Sequence, residues 1–239
     1  MNGSLDPTFS LLHPTARLPE GWRPAFDAWL ASCDRLERCE YLLAVEAKSL
    51  PVVVAEAIMW FIQSYAHSPF RFRTVLNTGR PCAVDAWNTA AKRSRGQVLI
   101  CASDDVFPCP HWDTLLFNAI GDLSKEAVLW VDMRDDNPDL ITHPILTRAY
   151  YERPGRGGCP HGELFYPEYL SVGLDDDFTA YARRDGVVID ARGDIRFEHR
   201  NVVSRKSPDD EVYRHVGSRA AWETKARVLA RRLEEGFVK

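Results

Sequence analysis

The feature that most constrains the fold is a regular alternation of short apolar runs and longer amphipathic segments through the first half of the chain. The apolar runs have the length of buried strands, and the segments between them have the length and spacing of helices. Strands that alternate with helices form parallel sheets with helices on both faces. The pattern therefore predicts an α/β domain with a mixed, mostly parallel sheet that is flanked by helices.

The expected elements follow from these runs. Strands are predicted at 9–13, 41–45, 72–76, 98–102, 127–133 and 187–189, with one more extended segment ending at Phe197. Helices are predicted at 24–32, 53–65, 82–94, 110–120, 175–184 and 220–235, with Pro24 in the first turn of the first helix. The Gly- and Pro-rich segment 153–162 is predicted to be a flexible loop, and 135–139 a turn.

The composition is that of an ordinary soluble protein. The 239 residues carry a net charge of −4, and no apolar stretch approaches the ~20 residues that span a bilayer. The amino terminus lacks a basic segment that leads into an apolar one, so a cytoplasmic location is expected. The six cysteines include no C-x-x-C pair, which argues against structural zinc and favours reduced thiols.

Charge is unevenly distributed along the chain. The segment from Arg200 to the carboxyl end holds ten Lys/Arg against six Asp/Glu, so the rest of the chain is acidic. We interpret residues 201–239 as a basic helical extension. Its charge fits a solvated helix face or a surface that approaches a phosphate-bearing partner.

Polar residues follow the predicted strands where each strand ends. They are Pro14 to Arg17, Glu46, Asn77 and the pair Asp104–Asp105. Because ligands of open α/β sheets bind beyond the carboxyl ends of the strands, these residues predict a binding site along one edge of the sheet. The two carboxylates could hold a divalent ion against a diphosphate, or could cap the following helix.

The strongest motif surrounds the aspartate pair. Asn77-Thr78-Gly79-Arg80 precedes Ala83, Ala86, Asn88 and Gly96, and then comes Val98 to Val106 with Ser103-Asp104-Asp105, followed by Pro110-His111-Trp112. This arrangement resembles the nucleotide-sugar-binding core of the family-2-like GT-A glycosyltransferases, in which an apolar strand ends in an aspartate-x-aspartate motif. The resemblance is most specific from Arg73 to Leu116. It implies a Rossmann-like GT-A fold.

The resemblance also implies a donor and a metal. Asp105 is expected to bind Mn²⁺ or Mg²⁺, Asp104 to face the ribose or share the metal, and Glu46 to lie beside the nucleotide base. Contacts to the nucleoside-diphosphate sugar are further expected from Pro14, Thr15, Arg17, Asn77, Arg80 and Asn88. The acceptor stays open among a saccharide, a lipid, a protein, a small molecule and a modified nucleic acid, and so does the oligomeric state.

A second cluster, Asp175-Asp176-Asp177, begins a predicted helix. A neighbouring like charge raises a carboxyl pKa, whereas a helix amino terminus lowers it, so the sequence does not decide between a general base and a helix cap. In the family, an acidic pair near this point deprotonates the acceptor hydroxyl. By that resemblance Asp176 is the expected base, with Asp175 as the second choice.

The third candidate is His199, in Phe197-Glu198-His199-Arg200. Many family members place a histidine here that completes the metal site, and a neutral imidazole suits a manganese-like ion. A packing role is the alternative. Arg200, Arg205 or Lys206 could hold the leaving diphosphate.

These expectations combine into one interpretation. Residues 1–200 are expected to form a single GT-A domain, with 1–133 for the nucleotide sugar and 134–200 for the acceptor. The expected enzyme is a hexosyl- or pentosyltransferase that inverts the anomeric centre, and retention is the alternative. A sugar-phosphate nucleotidyltransferase is the first alternative, although the turn after the first strand lacks the glycines that such an enzyme uses. A non-catalytic nucleotide- or carbohydrate-binding module is the second.

Overall fold

A computed structural model describes residues 6–46, 70–134, 137–201 and 210–237. The predicted helix at 53–65 and the residues Arg205 and Lys206 lie outside these ranges. The strands are β1 Phe9–Thr15, β2 Cys39–Glu46, β3 Arg71–Asn77, β4 Val98–Cys101, β5 Val106–Phe107, β6 Val128–Trp130, β7 Ile145–Thr147, β8 Val188–Asp190 and β9 Glu198–His199. The helices are α1 Pro19–Ala31, α2 Ala83–Arg93, α3 Trp112–Ile120, α4 Arg148–Tyr151, α5 Leu174–Arg184, α6 Glu211–Val216 and α7 Arg219–Glu234.

The main sheet has seven strands in the order β3-β2-β1-β4-β7-β6-β8. β3, β2, β1 and β4 are parallel to one another, β7 is antiparallel to both of its neighbours, and β8 is parallel to β6. β5 and β9 form a separate antiparallel pair. The prediction of a mixed, mostly parallel sheet flanked by helices is confirmed.

The central strands are buried on both faces. In β1, Phe9 and Leu11 belong to one apolar cluster and Leu12 belongs to the other. The same alternation places Ile100 in the first cluster and Leu99 in the second. Since successive side chains of a strand point to opposite faces, a nearly continuous apolar run is what a sheet covered on both sides requires.

The first helix begins earlier than the sequence predicts. α1 starts at Pro19, so Pro24 lies inside the helix rather than in its first turn. Pro19 suits the first helical position, because a backbone N–H at that position has no partner within the helix and proline has no N–H. The apolar residues Trp22, Phe26 and Trp29 are fully buried, which shows that packing against the sheet stabilises the helix despite the internal proline.

Within the segment predicted to be a flexible loop, 153–162, residues 156–159 are instead buried. The segment contains a 3₁₀ turn at Arg156–Gly158, and Arg156 is 3% exposed. The Arg156 guanidinium donates hydrogen bonds to the Tyr181 hydroxyl at 2.7 Å and to the Leu164 carbonyl at 3.1 Å. Glycines permit the left-handed backbone at 155, 157 and 158, so they shape a tight turn here and do not mark an open loop.

The carboxyl-terminal helices pack against the α/β domain. Val228 of α7 is fully buried in one of the two apolar clusters. Arg232 is 2% exposed and donates to both carboxylate oxygens of Asp177, at 2.6 and 3.0 Å. None of the helices in the described parts of the chain is both long and apolar enough to cross a bilayer.

Candidate active site

A cleft of about 310 Å³ opens where β1, β2 and β4 end. Because these three strands are parallel and adjacent, their last residues meet at one edge of the sheet. Most residues predicted for the site line this cleft, namely Pro14, Thr15, Arg17, Glu46, Asp104, Asp105, Asp175 and His199. The fold therefore brings these predicted residues together in one cleft, and their roles stay predictions.

Asp104 is held by three side chains. His13 Nε2 lies 2.7 Å from one carboxylate oxygen, and Thr15 Oγ1 and an Arg17 guanidinium nitrogen donate to the other at 3.2 and 2.9 Å. His13 is fully buried, and its other ring nitrogen contacts the Tyr41 hydroxyl. These contacts fix the orientation of Asp104 at the edge of the cleft.

The carboxylate of Asp105 contacts a different set of side chains. Ser103 Oγ donates to one of its carboxylate oxygens at 2.5 Å. The other oxygen accepts from the Tyr213 hydroxyl at 2.7 Å and lies 3.4 Å from His199 Nε2. Burial raises the pKa of Asp105, but the hydrogen bond and charge of His199, together with the charge of His143, outweigh burial and hold the pKa well below its usual value. Asp105 is therefore an anion at neutral pH.

Asp105, His143 and His199 form a group that could bind a metal ion. One ligand atom from each residue lies within 4.8 Å of the others, and the two imidazole rings are 4.8 Å apart with their planes nearly perpendicular. The Nδ1 atom of His143 lies 3.2 Å from the Cys101 carbonyl oxygen, a contact that orients the ring.

Sequence analysis did not identify His143. It lies in Thr142-His143-Pro144, two residues before β7, and nothing in that tripeptide distinguishes it from a packing histidine. The position becomes informative only once β7 is known to pair with β4, because this pairing brings His143 next to the strand that ends before Asp105. The fold therefore adds a third candidate ligand to the two that were predicted.

Three residues predicted to contact the donor do not line the cleft. Asn77 is 2% exposed and donates to the Arg80 carbonyl at 2.9 Å, so it shapes the turn after β3. Arg80 forms an ion pair with Asp85 at 2.5 Å and donates to the Tyr169 carbonyl at 3.0 Å. Asn88 is buried and accepts hydrogen bonds from the Leu164 and Phe165 amides, both at 2.8 Å. Arg80 and Asn88 connect the first half of the sheet to the segment that precedes α5.

The three adjacent aspartates point to different surroundings, because successive residues of a helix are rotated by about 100°. Asp175 is half-buried and lines the cleft. Asp176, the expected base, lies outside the lining and pairs with Lys225 of α7 at 2.7 Å. Asp177 is 1% exposed and pairs with Arg232. The geometry thus favours Asp175, the second choice from the sequence, over Asp176.

Helix α6, in the last described segment of the chain, forms part of the lining of the cleft. Val212, Tyr213, His215 and Val216 of α6 contribute to the lining. Asp210 caps the helix by accepting from the Tyr213 amide at 2.8 Å, and it also accepts from Arg17 at 2.8 and 3.0 Å. Sequence analysis identified this region only as a basic extension. The cleft-lining residues of α6 lie more than ten positions after His199, the last predicted site residue, so they belong to none of the motifs that predicted the site.

Comparison with solved structures shows that the chain has a GT-A-like fold. TarS of S. aureus superposes with a TM-score of 0.61 at 11% identity, over 80% of this chain and 36% of that chain. The mannosyltransferase PcManGT from Pyrobaculum calidifontis, solved in complex with GDP-Man and Mn²⁺, superposes with a TM-score of 0.59 at 18% identity, over 95% of this chain and 75% of that chain.

A third similar structure is TarS 1–349 of S. aureus in complex with UDP-GlcNAc, with a TM-score of 0.56 at 14% identity. The alignment covers 87% of this chain and 64% of that one, so the present chain spans roughly a third of the longer TarS chain and under two thirds of the shorter. No protein-family model and no curated protein sequence matches this chain. At these low sequence identities, the structural similarity to the three solved proteins establishes the fold of this chain.

Proposed function

We propose that this protein is a metal-dependent glycosyltransferase that moves a sugar from a nucleoside-diphosphate donor to an acceptor hydroxyl with inversion. The observation that carries the proposal is the group of Asp105, His143 and His199 beside Asp104, in the cleft where the parallel strands end. Proteins of the same fold have been solved with UDP-GlcNAc, or with GDP-Man and Mn²⁺. Fold and site together favour the same chemistry.

The candidate ligands fit a divalent metal ion. They offer one carboxylate oxygen and two imidazole nitrogens, a mixed set that suits Mn²⁺ better than Mg²⁺, which prefers oxygen alone. When bound, such an ion supplies positive charge that stabilises the leaving diphosphate. Because Asp105 is ionised at neutral pH, it is ready to bind a cation without first losing a proton.

The residues on the other side of the cleft would hold the nucleoside. Glu46 ends β2 and lines the cleft, where its carboxylate can accept an N–H from the base. Asp104 is oriented by His13, Thr15 and Arg17, and a carboxylate held in this way can accept a ribose hydroxyl. Pro14 and Thr15, which end β1, contribute the surface between these two carboxylates.

Asp175 would act as the general base. As the acceptor oxygen bonds to the anomeric carbon, its proton passes to the Asp175 carboxylate, and the bond from that carbon to the diphosphate oxygen breaks with its electron pair leaving on the diphosphate. One displacement from the face opposite the leaving group inverts the anomeric centre. Asp175 is the member of the aspartate cluster that lines the cleft, and this placement supports the assignment.

The test is a panel of nucleoside-diphosphate sugars, with release of the nucleoside diphosphate measured with and without Mn²⁺. We expect release from one donor class, abolished by EDTA and restored by Mn²⁺. Asp105→Asn should prevent it, whereas the control Asp190→Asn, at the exposed end of β8, should behave as the unchanged protein. The proposal fails if no donor is bound or cleaved by a folded, metal-loaded protein.

A further inference from the structure

Two cysteine side chains meet at the end of β2 that lies away from the cleft. Cys33 lies two residues after α1, Cys39 is the first residue of β2, and their Sγ atoms are 3.5 Å apart. Both are free thiols. Glu46, the last residue of β2, lines the cleft. Because a strand rises about 3.3 Å per residue, the two ends of β2 are roughly 23 Å apart, and the cysteine pair is remote from the candidate active site.

The segment between the two cysteines is held in a tight turn. It contains a 3₁₀ turn at Leu36–Arg38. The Asp34 and Arg35 amides both donate to the buried carboxylate of Asp113, at 2.8 and 2.9 Å. Since Asp113 belongs to α3, these hydrogen bonds attach the turn to the body of the domain. The fold itself therefore holds the two sulfur atoms close together.

The two thiols differ in accessibility. Cys33 is partly exposed, whereas Cys39 is fully buried and donates to the Arg35 carbonyl at 3.6 Å. The hydrogen bond with Cys33 and burial raise the pKa of Cys39. An oxidant in solution therefore reaches Cys33 first, and Cys39 is in position to react second. The S–S bond of a disulfide is about 2.05 Å long, so its formation requires the sulfur atoms to approach by only about 1.5 Å.

Metal binding is the alternative use of two adjacent thiols. Structural zinc takes four ligands from cysteine, histidine and carboxylate side chains. Among the residues that the structure describes, the cysteine pair belongs to no group of three or more such ligands, whereas Asp105, His143 and His199 do form one. The pair thus offers two sulfur atoms without further ligands, which favours thiol–disulfide chemistry.

We propose that Cys33 and Cys39 are a reversible disulfide site, closed by a two-electron oxidant such as hydrogen peroxide and reopened by a dithiol. The peroxide oxidises the Cys33 thiol to a sulfenic acid and is itself reduced to water. The Cys39 sulfur then attacks the Cys33 sulfur, the S–S bond forms, and the sulfenic hydroxyl leaves as water with the Cys39 proton. The two thiols together lose two electrons and two protons. The inference does not depend on the proposed glycosyl transfer.

The test treats the full chain with a small excess of hydrogen peroxide, blocks the remaining thiols with iodoacetamide and digests the protein with trypsin. Cleavage after Arg35 and Arg38 places the two cysteines in separate peptides, 18–35 and 39–48. We expect mass spectrometry without reduction to find these peptides joined, with their summed mass lowered by two hydrogen atoms. Dithiothreitol, added before the blocking step, should restore both thiols.

Two variants connect the joined peptides to this pair. Cys33 and Cys109 are both partly exposed thiols. Cys33→Ser should abolish the joined peptides, whereas Cys109→Ser should yield them in the same amount as the unchanged protein. A disulfide across a short loop restricts the unfolded chain, so oxidation should raise the melting temperature of the unchanged protein by about 5 °C. The melting temperature of Cys33→Ser should not respond to this treatment.

Three results would overturn the inference. They are a Cys33 that stays a thiol or becomes a sulfinic acid without joined peptides, a bridge from Cys33 to a cysteine other than Cys39, and a lower melting temperature for the oxidised chain. The first two would show that Cys39 does not reach the oxidised sulfur, and the third that the native fold does not accommodate the bridge. None of these measurements uses a sugar donor, so the inference and the proposed function can fail separately.

Discussion

At the scale of single residues, the two carboxylates that begin α5 allow a direct comparison. Asp175→Asn removes the proton acceptor that lines the cleft, and general-base catalysis contributes ~100- to 10,000-fold. We expect the rate of transfer to fall by about that factor, with donor binding little changed. Rates from single-turnover assays and calorimetric donor titrations provide the two measurements.

Asp176→Asn is the matched control for that prediction. It removes a charge one residue away that pairs with Lys225 outside the cleft, and a partly exposed ion pair of this kind contributes about 1 kcal/mol or less to stability. Its transfer rate should stay within a few-fold of the unchanged protein. A large loss in Asp176→Asn together with a normal rate in Asp175→Asn would move the base back to Asp176.

His143 and His199 provide a second prediction. If both hold the metal with Asp105, either His143→Ala or His199→Ala should raise the Mn²⁺ concentration needed for half-maximal activity, by at least tenfold. Calorimetric titration with Mn²⁺ alone should show the same weakening. His111→Ala is the control, because His111 is an exposed histidine that pairs with Asp34 away from the cleft. An unchanged Mn²⁺ requirement with a lowered melting temperature would mean that these histidines only pack.

At the scale of secondary-structure elements, α5 and α7 are joined by a buried ion pair between Asp177 and Arg232. Removal of one partner from a buried pair costs about 3–5 kcal/mol, because the remaining charge has no counterpart. Arg232→Met should therefore lower the free energy of unfolding at pH 7 by about that amount. Arg231→Met, at the preceding position, removes an exposed pair with Glu168, and should lower the free energy of unfolding far less than Arg232→Met does.

Arg232→Met should also change how the free energy of unfolding depends on pH. Burial raises the pKa of Asp177, and the hydrogen bond and charge of Arg232 counteract part of that increase, so the pKa should rise further in Arg232→Met. Between the unfolded and the folded pKa the native state then binds more protons than the unfolded state, and stability decreases as pH rises. Urea unfolding of Arg232→Met should thus recover part of the lost stability on going from pH 7 to pH 5. No recovery would contradict a raised pKa of Asp177 in this variant.

The elements that the sequence predicted well are those whose pattern is local. β1 and β2 each contain a short group of apolar residues, and their predicted bounds differ from the observed ones by at most two residues at either end. The three-residue strand β7 was not predicted, because its antiparallel place between β4 and β6 depends on tertiary pairing and not on its own composition. The sequence also did not decide which of the residues Asp175–Asp177 faces the cleft. Lys225 and Arg232 form ion pairs with two of these aspartates, and they lie about fifty residues further along the chain.

At the scale of the whole molecule, the last helix is part of the domain core. A chain that ends at Gly217 lacks the buried side chains of Val228 and Arg232 as well as the ion pair with Asp177. Since a domain of this kind is stable by only about 5–15 kcal/mol, the shortened chain should be substantially unfolded at 25 °C. Circular dichroism melts would test this expectation, and a melting temperature equal to that of the full chain would show that α7 is dispensable.

Asp105 has partners that lie far apart in the order of synthesis. Ser103 is a near neighbour, His199 follows almost a hundred residues later, and Tyr213 of α6 is later still. A ribosome makes the chain from the amino terminus, so the strands that hold the aspartates can form while the last wall of the cleft is still inside the exit tunnel. The nascent protein therefore passes through a stage in which the strands beside the cleft exist without α6, and the cleft is complete only after α6 has been released and packed.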